Sequence, residues 1–191
     1  MTPTRESWLN TLVSELRPMY QGELPETIHV STGFSSKGAR SKTIGECWSP
    51  KASADGAPQI FVHPKISDSV EVASVVVHEL VHAARPDAKH GAQFKQLATT
   101  LGLEGKMTAT HAGDSLVATL KAIVDKIGPY PHPALFGQPT ERKQSTRMIK
   151  VECGECGYTV RTTQKWIDVG LPTCPCTAID GEWQNTMQVA E

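Results

Sequence analysis

Residues 69–94 read SVEVASVVVHELVHAARPDAKHGAQF. An apolar run is broken by His78, Glu79 and His82. Placing two imidazoles and a carboxylate among valines and alanines is costly unless something compensates them. The run has helical character from about Ser69 to Ala84. Asp68 offers an N-cap, Glu71 stands three residues on as in a capping box, and Pro86 limits extension. On a helix, positions i and i+4 lie about 6 Å apart along the axis and about 40° apart around it. His78 and His82 therefore leave one face and can close on one ion. Glu79 is turned by about 100° from His78, which sets it beside that ion instead of under it. This is the physical content of the H-E-x-x-H pattern.

A catalytic zinc takes three protein ligands and keeps one position open for water. His90 is the candidate for the third. It follows the break RPDAK and opens the next helical stretch, and a helix folded back across that break returns it to the same ion. Gly91 beside it permits close backbone approach. The chemistry that follows is peptide-bond hydrolysis by a zinc-bound water, with Glu79 as general base and no covalent intermediate. The alternative is a pair of satisfied core histidines. His111, Tyr130 and Arg85 are candidates for the oxyanion donor, with His111 also readable as a polar loop residue. His29, His63 and His132 have no ligand spacing and read as structural or surface residues.

Outward from this helix, the pattern is mixed. Residues 4–17 carry Leu9, Leu12, Val13 and Leu16 at helical spacing, with Thr4 to cap and Pro18 to stop. Three short β-forming segments follow, at about Thr27–Thr32, Thr43–Trp48 and Gln59–His63, separated by Gly/Ser/Pro-rich breaks that read as hairpin loops or longer excursions. After the metal helix, a second helix begins near His90, with Phe94, Leu97, Ala98 and Leu101 as its stripe and Gly102 to end it. A third spans about Asp114 to Ile127, closed by Gly128 and Pro129. The segment 128–147 has four prolines and no period, and reads as a linker or strap. The expected fold class is α+β: a domain of helices packed on a small β-sheet over residues 1–140, then a small β-rich module over 141–191.

The chain has 191 residues and a formal net charge of −1, so no global basic field announces nucleic acid. No apolar run reaches a membrane span, and the first residues lack the pattern of a signal peptide. The expectation is a cytoplasmic protein, where the five cysteines serve as metal ligands or free thiols more readily than as disulfides.

Four of these cysteines fall in the second module. Cys153 and Cys156 form C-G-E-C, and Cys174 and Cys176 form C-P-C. Two close pairs separated by a β-rich stretch read as a structural zinc ribbon, in which Cys176 is the fourth ligand if there are four. A redox C-x-x-C is the alternative, without the βαβ context that such a motif needs. Cys47 stands alone in a β-forming segment and reads as a small buried residue. From Glu141 to Lys165 six basic residues face three acidic ones. Arg147, Lys150, Arg161 and Lys165, with Trp166, form a candidate surface for single-stranded DNA by phosphate contact and stacking. The competing reading has Trp166 packing the ribbon and the charges merely solvated.

HELVHAARPDAKHGAQFKQLA (78–98) resembles the SprT-like metallopeptidase family, which includes the Spartan DNA–protein crosslink proteases. The match covers H-E-L-V-H, the pair His90-Gly91 and Phe94, and the cysteine module fits the same layout. The interval between His82 and His90 looks more like compact phage-encoded and bacterial members. The resemblance implies a minimal zincin-like fold, with His78, His82 and His90 on a catalytic zinc and Glu79 as catalytic acid/base. It also implies a structural zinc on the cysteines, proteins on DNA as substrates, and a bacterial or phage-infected cell, with the nucleoid as one place of action. Two other functions compete: a zinc-containing DNA-binding or regulatory module with little turnover, and a phage processing protease with a non-DNA target. Intact Glu79 speaks against the first, since metal binding alone needs no general base.

Overall fold

A computed structural model describes residues 3–136, 148–179 and 182–190. The chain divides into two compact units, Met1–Gln138 and Pro139–Glu191. Both mix helix with small sheets, so the class is α+β.

In the first unit, helix α1 (Arg5–Leu16) starts where Thr4 accepts a hydrogen bond from Ser7 N while Ser7 Oγ accepts from Thr4 N, at 3.1 and 2.9 Å. This reciprocal cap satisfies donors that a helix start would otherwise leave open. Its buried stripe is Trp8, Leu9, Leu12, Val13 and Leu16. Three short strands follow: β1 (His29–Thr32), β2 (Gly45–Trp48) and β3 (Gln59–Val62). Their order is β1-β3-β2, with β1 parallel and β2 antiparallel to β3. The break after β1 is therefore not a hairpin loop. It crosses to the far side of β3 and leaves β2 at an edge. The break after β2 does join antiparallel neighbours.

Helix α2 (Ser69–Ala84) begins at Asp68, whose side chain accepts from the backbone N–H groups of Val70 and Glu71. The reciprocal arm expected of Glu71 is not seen; one carboxylate serves both donors. The inward face of α2 is apolar, with Val72, Val76, Val77, Leu80 and Val81 fully buried. Burying such side chains stabilises by about 1.5–3 kcal/mol each, so the helix is anchored by its core face. Tyr20 reaches the same core and donates to Val77 O at 2.8 Å.

Helix α3 (Ala92–Thr100) starts after Gly91, so His90 lies just ahead of the helix it was expected to open. The stretch from Leu103 to Ala112, to which the sequence reading assigned no element, forms a hairpin, β4 (Leu103–Lys106) paired with β5 (Ala109–Ala112). Helix α4 (Asp114–Ile127) then packs Leu116 and Leu120 into the core. None of the helices among the described residues is long and apolar enough to cross a membrane.

The second unit carries β6 (Ile149–Glu152), β7 (Thr159–Thr162), a one-turn helix α5 (Gln164–Ile167), β8 (Thr173–Ile179), β9 (Glu182–Thr186) and β10 (Gln188–Val189). One sheet has the order β10-β6-β7, and β8 pairs with β9. Among the described residues, its buried cluster is Val151, Cys153, Cys174 and Met187, flanked by Val160 and Leu171, which is little apolar surface for a free-standing fold.

Candidate metal centres

His78 and His82 project from one face of α2, and the turn after Pro86 returns His90 to them. His90 Nε2 lies 3.2 Å from His82 Nε2 and 3.4 Å from His78 Nε2. A tetrahedral ion with zinc–nitrogen bonds of about 2.0–2.1 Å separates its ligand nitrogens by about 3.3 Å. Two of the three spacings match that value, and all three ligand nitrogens lie within 4.8 Å of one another, so the three imidazoles can gather on one ion. The ring of Phe94, fully buried on α3, backs all three, with centroids 5.0 Å from His78, 4.5 Å from His82 and 4.9 Å from His90. Phe94 fixes the ring positions by packing and closes the side away from solvent.

The same burial keeps the imidazoles neutral. It pushes His78 down to about 4, with help from the charges that His82 and His90 would carry, and His82 down to about 4, with help from His90. His90 is shifted in the same direction by burial. Neutral nitrogens are ready ligands that release no proton on binding.

Glu79 is 6% exposed, and burial, with a smaller push from the charge of Glu46, raises its carboxyl to about 8. A backbone hydrogen bond from Cys47 pulls the other way. Strand β2 passes very close: a Cβ on Gly45 would lie 2.5 Å from Glu79 Oε1 and 2.6 Å from Val75 Cγ1. Only a residue without a side chain lets the strand run against the carboxylate. Cys47, expected to be a small buried residue, is half-buried and lines the cavity. Burial and the Glu79 charge push its thiol up to about 12, so it stays protonated and a poor nucleophile.

These groups open into a cavity of about 690 Å³, walled on one side by β2 and on the other by Thr108, Ala109 and Thr110. Thr110 Oγ1 lies 2.7 Å from His78 Nδ1. Sequence reasoning assigned no element to this segment, and so placed no strand beside His78. The signal was there in Thr108 and Thr110, two β-formers at period two, within a stretch too long for a simple turn. Of the candidates for an oxyanion donor, none lines the cavity. Tyr130 is buried, near Thr32 Oγ1 at 3.1 Å and Trp8. Arg85 pairs with Glu23 at 2.7 Å. His111 sits on β5 with its side chain 68% exposed. His29 pairs with Asp55, His63 is buried and accepts from Lys65 N, and His132 is exposed.

In the second unit the four thiols converge. Cys153 Sγ lies 3.6 Å from Cys176 Sγ, and Cys156 Sγ lies 3.5 Å from Cys174 Sγ. Zinc–sulfur bonds of about 2.3 Å in a tetrahedron separate sulfurs by about 3.8 Å, so this set also fits. The C-P-C pair reaches as well as the first pair because the two pairs interleave. Around the first pair, Gly157 N donates to Cys153 O at 3.0 Å, and Gly157 adopts a left-handed φ of 71°. Asn185 Nδ2 donates to Cys153 Sγ at 3.2 Å. A hydrogen bond from the Cys156 backbone is the leading reason that the Cys153 thiol is held down to about 7. The neighbouring thiols, Cys174 first, push Cys176 up to about 12. Each thiolate raises the cost of the next unless a cation joins them.

Across β6 and β7, Lys150 and Arg161 stand directly opposite one another. Lys150 Nζ donates to Glu152. Trp166 is 58% exposed and does not pack the ribbon, and Lys165 Nζ lies 5.1 Å from its ring centroid. Tyr158, which sequence reasoning left out of this surface, is 55% exposed. Arg147 lies outside the described residues.

Comparison with family models, with curated proteins and with solved structures gave no match.

Proposed function

We propose that the chain is a zinc metalloendopeptidase of the SprT-like kind, with a zincin-like catalytic domain and a structural zinc ribbon. The observation that carries this reading is the placement of a buried carboxylate, Glu79, beside three imidazole nitrogens at zinc-ligand spacing. When bound, zinc supplies Lewis-acid polarisation of the scissile carbonyl and of the attacking water. His78, His82 and His90 hold the ion. Glu79 takes the proton from the attacking water and passes it to the leaving amine. Its raised affinity for a proton suits both halves of that task. β2 and the β4–β5 hairpin flank the substrate and limit water.

The exposed Trp166, Tyr158 and Lys165 support single-stranded DNA as the partner of the ribbon, by stacking and phosphate contact. The substrates are then proteins held on DNA, and the setting is the bacterial or phage-infected cytoplasm.

The test is cleavage of a DNA-bound protein by the full chain, with and without single-stranded DNA, compared with Glu79→Gln. Glu79→Gln is expected to lose about 10²–10⁴-fold in rate while retaining its zinc. Equal activity in Glu79→Gln would refute the mechanism. Wild-type cleavage that ignores DNA would favour a processing protease with another target. No cleavage by the wild type would favour a DNA-binding or regulatory module.

A further inference from the structure

Thr110 on β5 touches the histidine centre but has no part in the proton transfers just described. Its hydroxyl lies 2.7 Å from His78 Nδ1, while the other ring nitrogen of His78 faces His90 Nε2 at 3.4 Å. A neutral imidazole carries its proton on one nitrogen and a lone pair on the other. The hydrogen bond at one nitrogen decides which. A threonine hydroxyl can donate or accept. Donation to Nδ1 would put the proton on Nε2 and aim it at the other two imidazoles, where no ion could then be held. Acceptance from Nδ1–H leaves the Nε2 lone pair facing the cluster.

We infer that Thr110 is a positioning residue that holds His78 as its Nδ1–H tautomer and fixes the plane of its ring toward the ion. This rests on the reading of His78 as a metal ligand. Three features of the fold serve it. Thr110 pairs with Gly105 across β4–β5, so the neighbouring strand places no side chain opposite it. Strand alternation turns Thr110 to α2 and His111 away, which accounts for the exposure of His111. Among the described residues, neither His82 nor His90 has a hydrogen-bond partner on its second nitrogen, so this restraint falls on His78. The hairpin thereby acts as an outer brace on a centre whose three ligands come from α2 and the turn before α3. Partners of this kind, when removed, weaken metal affinity about 10–100-fold.

The experiment is zinc competition against a chromophoric chelator on the full chain, with Thr110→Val and Thr110→Ser. Thr110→Val keeps the shape and removes the acceptor; Thr110→Ser keeps the acceptor. The histidine site of Thr110→Val is expected to bind zinc about 10–100-fold more weakly. Thr110→Ser should restore affinity, and the cysteine site should be unchanged in both. Long-range ¹H–¹⁵N correlation of the zinc-loaded wild type needs no variant and should show His78 protonated at Nδ1. Wild-type affinity in Thr110→Val, or His78 coordinated through Nδ1, would overturn the inference while leaving the metallopeptidase reading intact. Zinc absent from the wild-type histidines would overturn both.

Discussion

The histidine centre hangs from a helix whose opposite face, from Val72 to Val81, is sunk in a large apolar cluster. The thiol centre is held by the turn after β6 and by β8, and among the described residues Cys153 and Cys174 share its buried cluster with Val151 and Met187. Both bring donor atoms together, but among the described residues only the first rests on a large apolar core. In the ribbon, two of the four thiols belong to the buried cluster seen among the described residues, so a zinc held there would couple metal binding to folding. On α2 the proposed ion would add chemistry to a helix already anchored by its apolar face. A catalytic centre gains from this arrangement, because ligands held by packing do not have to be ordered when the substrate arrives.

The largest expected effect separates the two units. Cys174→Ser should unfold the ribbon, with complete loss of amide protection at Val151 and Met187 in hydrogen exchange. His82→Ala should leave protection of Val76 and Leu80 near the wild-type level. Cooperative loss of α2 in His82→Ala would erase the distinction between the centres.

A smaller effect is expected at Gly45. In Gly45→Ala the new methyl must displace either β2 or the Glu79 carboxylate. Misplacing a reacting group by about 1 Å costs about 100-fold in rate. Peptidase activity should fall on that order while zinc content at both centres stays unchanged. Full activity would mean that the close approach of β2 has no role in holding Glu79.

Much of the metal helix was legible because its information is local. The run from Ser69 to Ala84 carries its own cap and its own period, and i, i+4 geometry then aligns His78 with His82. His90 was legible because a Pro-containing break forces a return. What was not legible depends on partners far along the chain. That β1 runs beside β3 instead of β2 is written in no single segment. Thr110 meets His78 across 32 positions, and nothing in T-A-T-H-A announces that partner. Gly45 looks like an ordinary glycine in a β-forming segment until Glu79 is seen against it. The exposure of Trp166, for which two readings were open, was likewise decided by packing.

The smallest expected effect concerns acid. In the metal-free chain, His78 and His82 titrate near 4 when folded, against an ordinary value of 6.5. As pH falls from about 6.5 to about 4, the unfolded chain takes up protons at these two histidines that the folded one refuses, and stability is lost. This loss outweighs the opposite gain from Glu79, whose folded carboxyl is protonated below about 8. Urea midpoints of the chelator-treated protein should fall from pH 7 to pH 5, and the decline should be shallower in His82→Gln. Equal slopes in the two proteins would place the acid sensitivity elsewhere and show that the histidine face is not strained by protonation.

The proposed function requires two zinc centres on one chain, with the histidine centre doing the chemistry. Metal analysis of the purified full chain, run beside the double variant His82→Ala with His90→Ala, decides this. Two zinc ions per wild-type chain and one in the double variant are expected, with the remaining ion held by the cysteines. A single ion in the wild type, or two retained after both histidines are removed, would overturn the two-centre reading.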